Sequence, residues 1–526
     1  MSVHEQHRAT GRPQVVVLGS GAAGLSAALA ARIAGARVTL VEATPTIGGT
    51  TALSSGAVWV PNNHVHRGEP GTDSPELARR YLDSLAVGDT APALLEQFVV
   101  EAPKVAQWLE RNTALRWQVL PYPDCHRERP GGMGAGVRSL EPQPLAVPEE
   151  ALARIRPPLP WRPPLTLTEL AAGGMAVDLA AERHRTGTVV GGQALVAALL
   201  TTALDAGVVV MPATRVTRLS PDGVVIGDRP QRARVVLATG GFERDPVLLR
   251  AFLRAPVRGL IGAPGARGDG LRLAMAAGAA LGNMSEAWWC PTIRVPGDEI
   301  DGQPVHRMLF AERARPGVIM VGRHGRRFTN EAQNYNDVGR AMHAFSASDF
   351  RFDADPSWLV FDASVRGRYP IGSVRPGDPE PEWLLRAESV PELADRVGVS
   401  RDVLVDTVAR FNRAAGSGED LEFGRGTGAY DRALGDVNAE HVTLRPLTEP
   451  PYFAVPVHAG LGGTKGGPRT DAHGRVARAD GSVVAGLYAA GNAAASPFGL
   501  AYPGTGATLG QALTFGVLAG RAAATD

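Results

Sequence analysis

The stretch GLAYPGTGATLG, residues 499–510, places a phenol ahead of Pro-Gly-Thr-Gly and just before an apolar run. That run, ATLGQALTFGVLAGRAAA, reads as a helix with Thr505 or Thr508 available as its cap. Glycines ahead of a helix start let backbone N–H groups approach a ligand, and the helix dipole favours negative charge there. Tyr502 and one bare backbone donor can therefore meet at a helix N-terminus. A tight turn with a packed tyrosine is the plainer alternative for the same residues.

A second constellation sits at the other end of the chain. QVVVLGSGAAGLSAALAARIAGARVTLVEA reads as a buried strand, a glycine turn, an Ala-rich helix and a second strand ending in Glu42. Gly19, Gly21 and Gly24 form the G-x-G-x-x-G fingerprint, with the acid in the expected place after the second strand. The glycines let the backbone, including Ala22 and Ala23 at the helix start, reach a pyrophosphate, while Glu42 suits ribose hydroxyls. The context therefore predicts dinucleotide binding on a Rossmann-like unit.

NAD and FAD share this unit, and the continuation decides between them. TPTIGGTTALSSGAVWVPN supplies a second loop rich in Gly, Ser and Thr, with Gly49, Thr50, Thr51, Ser54 and Gly56 as candidate contacts. A flavin with its ribityl chain needs such extra donors, so FAD is expected. GVVVMPATRVTRL, containing Val216, and RARVVLATGGFERD, containing Gly240, read as further strands. GSVVAGLYAAGNAAA adds a strand running into Gly491 and Asn492, and Thr508 and Leu509 begin the last helix beside them. A sheet assembled from both ends of the chain implies a discontinuous domain, 1–295 and 464–526, with an insertion over 296–463. The expected fold class is α/β: a discontinuous Rossmann-like FAD-binding domain carrying an inserted α+β catalytic or capping domain.

The composition excludes several function classes. A chain of 526 residues is too long for one hydrophobic core. Lys plus Arg total 54 and Asp plus Glu 53, so no footprint for nucleic acid or an anionic membrane is visible. Two cysteines, Cys125 and Cys290, make no disulfide framework. The 12 histidines show no metal-ligand spacing, and no metal is expected. MSVHEQHRATGR has no apolar core of a secretory signal, and Val15–Ala31 is a strand-turn-helix, not a membrane span. A soluble cytoplasmic protein is expected. Residues 120–167 carry prolines too densely for regular structure, and read equally as a cover over a site or a surface excursion.

Together these elements resemble the flavoproteins related to fumarate reductase and 3-ketosteroid Δ1-dehydrogenase, from Gln14 to about Ala524. Three stretches carry the resemblance to the ketosteroid dehydrogenase branch. They are GGTTALSSGAVWVPNN, GRRFTNEAQNYNDVGRAM, and LGGTKGGPRTDAHGRVARADGSVVAGLYAAGN followed by YPGTGATLGQALTFG. Where the fumarate branch places arginines that clamp dicarboxylates, this chain reads Tyr502-Pro503-Gly504.

The resemblance implies that Tyr502 and the N–H of Gly506 hold a substrate carbonyl oxygen. It also implies that Tyr335, in NEAQNYNDVG, is the base that takes the α proton. Hydride from the β carbon would pass to the flavin, giving a conjugated enone. The implied substrate is a cyclic ketone, steroid or smaller, with an external quinone-like acceptor or oxygen reoxidising a non-covalently bound FAD. One departure stands out. The family places a second tyrosine in a Pro-Asp-Tyr segment, whereas this chain has Pro123-Asp124-Cys125, with Tyr122 nearby to stand in. Cys125 is read as a reactive thiol or a small packing residue, and Trp288, Trp289 and Cys290 as pocket lining or interface packing. The competing reading is an enone or fumarate-like reductase, for which Arg313, Arg326 and Arg327 are the candidate carboxylate clamps.

Overall fold

A computed structural model describes residues 13–66, 72–172, 176–254 and 256–526. The stretch 1–12, read above for a secretory signal, lies outside them.

The β-α-β unit expected from the fingerprint forms β1 (Gln14–Leu18), α1 (Ala22–Ile33) and β2 (Arg37–Val41). Of the elements that shape the site, α2 (Gly49–Leu53), β3 (Val58–Trp59), α3 (Gly191–Asp205), β4 (Val209–Met211) and β5 (Arg234–Leu237) follow. Then come β6 (Ala287–Ile293), β7 (Arg307–Met308), β8 (Ile319–Gly322), α4 (Tyr335–Ala341) and β9 (Ser357–Asp362). After α5 (Ala429–Leu434) and β10 (Tyr452–Thr464), the chain closes with β11 (Arg475–Ala477), β12 (Val483–Ala489) and α6 (Ala507–Thr525).

Six strands make one sheet in the order β11-β12-β5-β1-β2-β4, so its members come from both ends of the sequence. Every pairing is parallel except β11 with β12. Val16 faces Val235 on one side and Thr39 on the other. Val15, Val16 and Val17 are fully buried, as a central parallel strand covered on both faces requires.

α6 lies against α1 at very close range. A Cβ on Gly516 would meet Ala23 O at 2.6 Å, and one on Gly520 would meet Ala27 O at 2.2 Å. Only glycine permits that approach, and the matched order shows that the helices run in the same direction. α6 begins eight residues further ahead of this contact than α1 does. Its N-terminus therefore projects about 12 Å beyond that of α1 at 1.5 Å rise per residue. The two helix starts are thus held apart along one line.

A second sheet runs β7-β6-β10-β9-β8, antiparallel along this path, with short strands at Gly259–Leu260 and Leu385–Ala387 also pairing with β10. Alternation along β6 sends Trp288 and Cys290 to the cavity side, whereas Trp289 packs with Phe242 and Leu461.

One expected strand fails. GVVVMPATRVTRL is strand over β4 and again only at its last residue, Leu219; Pro212 ends β4 and Ala213 takes a positive φ of 52°. Val216 lies in the irregular stretch that follows, buried against the sheet. The proline-rich segment is largely irregular, but Ser139–Pro142 forms a strand pairing with β3, Leu140 opposite Val58. Buried Arg138 beside it donates to Asp73 at 2.6 Å and to Asp124 at 2.8 Å, and Trp59 Nε1 donates to Asp124 at 2.8 Å. Burial pushes the Asp124 carboxyl up to about 6, against the pull of Arg138. This cluster pins the Pro123-Asp124-Cys125 segment under the site.

Candidate active site

A cavity of about 590 Å³ runs along the line between the two helix starts. At one end Gly19 takes a φ of +101°, and a Cβ there would strike Ala238 O at 2.3 Å. Gly21 caps α1 without any side-chain hydrogen bond, and no acid occupies the first turn. The Ala22 N–H donates to Thr51 Oγ1 at 3.0 Å, and Ala23 lines the cavity beside it. An uncapped helix start paved by glycine fits a pyrophosphate.

Glu42 also faces this end, with its carboxylate accepting from Ser20 N and Oγ and from Thr44 N and Oγ1. A ribose bound there would share an already ordered carboxylate. Gly49, Thr50, Thr51 and Ser54 line the middle of the cavity, with Thr50 Oγ1 accepting from Ala263 N at 3.0 Å. Val216 and Gly240 also face it. So do Gly491, Asn492, Thr508 and Leu509, with Asn492 Oδ1 accepting from Trp288 Nε1 at 3.0 Å.

Two candidates do not line the cavity. Gly24 packs on the turn itself, where a Cβ would meet Gly19 O at 1.9 Å. Gly56 abuts the backbone of Gly191 at 2.3 Å by the same measure. Both are needed for close packing, not for contact. Glu243, in the ATGGFERD segment, is a lining residue missed by the sequence reading; burial pushes its carboxyl up to about 7, and its Oε2 has no partner.

At the opposite end Tyr335, Tyr502 and Gly506 come together on the cavity wall. Tyr335 opens α4, and Asn334 caps that helix by accepting from Asp337 N at 3.1 Å. The turn ahead of it is fixed by buried charge: Glu331 accepts from Arg327 at 2.7 Å and from Arg425 at 3.0 Å, and Asp420 also takes Arg327. Burial raises the Glu331 carboxyl, but the two guanidiniums outweigh it and hold it below the usual range. The same carboxylate accepts from Met320 N on β8, so the sheet sets where α4 starts.

The loop carrying Tyr502 is fixed as firmly. Lys465, fully buried, donates from Nζ to the carbonyls of Gly499, Leu500 and Ala501 at 3.0, 3.1 and 2.8 Å. Its ammonium also sits 4.3 Å from the centre of the Trp288 ring. Tyr81 donates to Pro503 O at 2.6 Å. Gly506 has φ +100°, and a Cβ there would meet the Ala57 carbonyl carbon at 2.4 Å, so α6 must begin with glycine. The Gly506 N–H donates to the Tyr502 hydroxyl at 3.0 Å.

Both phenols are held neutral. Burial raises Tyr335 well above the usual tyrosine value, and the neighbouring Tyr502 and Tyr430 add to it. Burial pushes Tyr502 up to about 12, although its hydrogen bonds with Tyr335 and Gly506 work the other way.

Cys125 belongs to this cluster. Its N–H donates to Pro503 O at 3.0 Å, and burial pushes its thiol well up, so it is no nucleophile. Tyr122 meets the Phe310 ring at 5.8 Å, and Phe310 in turn meets Tyr335 at 6.0 Å; among the described residues no ring contact joins Tyr122 to Tyr335 directly. Tyr430 on α5 is the buried phenol that shares the field of Tyr335, Tyr502 and Cys125. No local signal in the sequence marks it.

The three candidate clamps lie elsewhere. Arg313 donates to the carbonyls of Leu309, Glu331 and Gln333, Arg327 is consumed by its ion pairs, and Arg326 is exposed; none lines the cavity. His324, Asp349 and Asp353 gather ligand atoms on an outer loop, where Arg323 already pairs with both carboxylates.

The fold, the glycine cradle and the two helix starts define a dinucleotide-binding oxidoreductase. Comparison makes the class specific: residues 14–509 match the FAD binding domain family, and the chain belongs to it. It is 38% identical to 4-oxocyclohexanecarboxylate 2-dehydrogenase of Sinomonas cyclohexanicum over 96% of this chain and 92% of that protein. It is 35% identical to 3-oxosteroid 1-dehydrogenase of Mycolicibacterium smegmatis, covering 96% of each. The 3-ketosteroid delta1-dehydrogenase of Sterolibacterium denitrificans, solved with 1,4-androstadiene-3,17-dione, superposes with a TM-score of 0.88 at 32% identity, covering 97% of this chain and 99% of that one. The protein is an FAD-dependent oxidoreductase of the steroid-dehydrogenase type. Among the described residues, no helix is long and apolar enough to cross a membrane.

Proposed function

We propose that this protein desaturates a cyclic ketone, steroid or smaller, between the carbons α and β to its carbonyl. The observation that carries the reading is the convergence of Tyr335, Tyr502 and the Gly506 N–H on one end of the cavity that cradles the cofactor. Relatives that act on 4-oxocyclohexanecarboxylate and on 3-oxosteroids support it.

FAD, held non-covalently by the cradle, supplies the two-electron acceptor for the hydride that leaves the β carbon. The chain supplies the rest. Tyr335 takes the α proton as the C–H bond breaks, and Tyr502 with Gly506 N–H holds the carbonyl oxygen as charge builds there. One such preorganised donor is typically worth about 3 kcal/mol in the transition state. The Gly506 N–H now given to Tyr502 turns to the ketone when substrate enters. Two C–H bonds are lost, the product is a conjugated enone, and a quinone-like carrier or oxygen removes the electron pair. We assign the cofactor to a domain of residues 1–295 and 464–526 and Tyr335 to an inserted domain, 296–463, in a cytoplasmic enzyme.

The three arginines named as clamps for the reductase reading, Arg313, Arg326 and Arg327, do not line the cavity. The test is anaerobic mixing of the yellow holoprotein with a panel of steroid and simple cyclohexanone ketones. Bleaching by a saturated ketone supports desaturation. If no ketone bleaches the flavin, and flavin bleached by dithionite regains its colour on adding an enoate, the reading is rejected.

A further inference from the structure

The cavity wall carries three arginines with different degrees of neutralisation. Arg156 is paired with Asp301, and Arg307 is paired with Asp298 at 2.6 Å while lying 4.4 Å over the Trp161 ring. Arg162 has neither arrangement. The only hydrogen bond of its guanidinium among the described residues runs from Nη1 to the Leu53 carbonyl at 3.3 Å, and it has no carboxylate partner there. The acid whose charge reaches it, Glu141, is occupied by the Leu167 and Thr168 N–H groups and by Gln118.

Its surroundings make this costly. Leu159, Trp161, Pro163, Leu167 and Leu170 form the adjoining wall, which is almost wholly apolar. Burial draws the guanidinium down to about 10. Arg162 is half-buried, and a cation held at an apolar wall with no carboxylate partner among the described residues is suited to a ligand that brings the opposite charge. Arginine's planar fork suits a carboxylate.

The position is as informative as the charge. Arg162 anchors on Leu53, and Ala57, four residues on, is the backbone against which Gly506 packs. Four residues span at most about 14 Å even when fully extended. The cation and the Tyr502 and Gly506 end therefore line one cavity, linked by the short backbone run from Leu53 to Ala57.

We propose that Arg162 is an anion subsite of the substrate pocket, receiving the carboxylate of a ring ketone whose carbonyl is held by Tyr502 and Gly506. The proposal rests on the ketone-desaturase reading and narrows it to ketones carrying an acidic group away from the carbonyl.

The test compares 4-oxocyclohexanecarboxylate with its uncharged amide in steady-state desaturation by the holoprotein, with a neutral 3-ketosteroid as a third substrate. The acid should exceed the amide by about 10- to 100-fold in kcat/KM, the value of one charge-assisted hydrogen bond, with most of the effect in KM. Arg162→Gln should bring the ratio close to one, and Arg162→Lys should keep part of it. FAD content, read as visible absorbance per protein, should be unchanged in both variants. Equal use of acid and amide by the wild type overturns the proposal, as does a preference that survives in Arg162→Gln. Loss of FAD in parallel with activity also overturns it, by making Arg162 a cofactor contact. If the neutral steroid turns over and the acid does not, the subsite fails while desaturation stands. If no ketone bleaches the flavin, the underlying reading fails with it.

Discussion

The rings of Tyr335 and Tyr502 lie 5.1 Å apart at an angle of 49°, so two buried phenols share one corner of the cavity. Burial makes ionising Tyr335 costly, and Tyr502 raises that cost further. In the proposed mechanism the proton acceptor is the Tyr335 phenolate, so a value held well above the ordinary 10 leaves little active base at neutral pH. The logarithm of kcat/KM should therefore climb with pH from about 7 to about 10, with a slope near one and no plateau. Steady-state desaturation across that range checks this. A plateau near neutrality would show that another group is the base.

Tyr502→Phe removes one donor to the carbonyl oxygen without emptying its space. Turnover should fall about 10²- to 10³-fold, mostly in kcat, because the bond strengthens as charge develops. A variant keeping most of its turnover would return Tyr502 to a turn residue.

Tyr430 and Tyr122 should behave differently. Tyr430→Phe takes away the hydroxyl beside Cys125 and Thr505, and should lower kcat by about 2- to 10-fold, the value of one neutral hydrogen bond, while shifting the alkaline limb. Tyr122→Phe, screened by Phe310, should leave both unaltered. The reverse pattern would put Tyr122 in the base's environment.

Lys465 tests how the carbonyl-binding loop is held. Lys465→Met fills the space but takes the Nζ donor from the Gly499 and Ala501 carbonyls, at about 1–3 kcal/mol for each left unsatisfied, while the Leu500 carbonyl keeps Arg340 at 3.0 Å. Thermal unfolding should occur at lower temperature and kcat should drop, with FAD content retained. An unchanged kcat would mean that Tyr502 is positioned by Tyr81 and Trp288 alone.

The cofactor cradle was legible because its logic is local. Gly19, Gly21 and Gly24 are fixed by one tight turn, although only the structure separates Gly24, a packing residue, from those that face the cavity. The carbonyl donors were half legible: Pro-Gly-Thr-Gly marks a helix start, but the partner that gives it meaning is remote. Tyr335 carries no signal of its own and was named through family resemblance. Its setting depends on Glu331, Arg327, Arg425 and Asp420 meeting in three dimensions. Tyr430 and Arg162 carry no local signal for the same reason, since a partner is absent or present only once distant segments meet. The strand misread beyond Met211 failed because the apolar alternation ran on past Pro212, which cannot continue it.

Anaerobic single-turnover bleaching of the flavin by a saturated cyclic ketone, wild type against Tyr335→Phe, addresses the central claim most directly. The ketone should reduce the wild-type flavin completely and yield the enone. In the variant the same step should be slower by about 10²- to 10⁴-fold, the contribution of a general base, with FAD still bound. Bleaching at the wild-type rate in Tyr335→Phe would contradict the account.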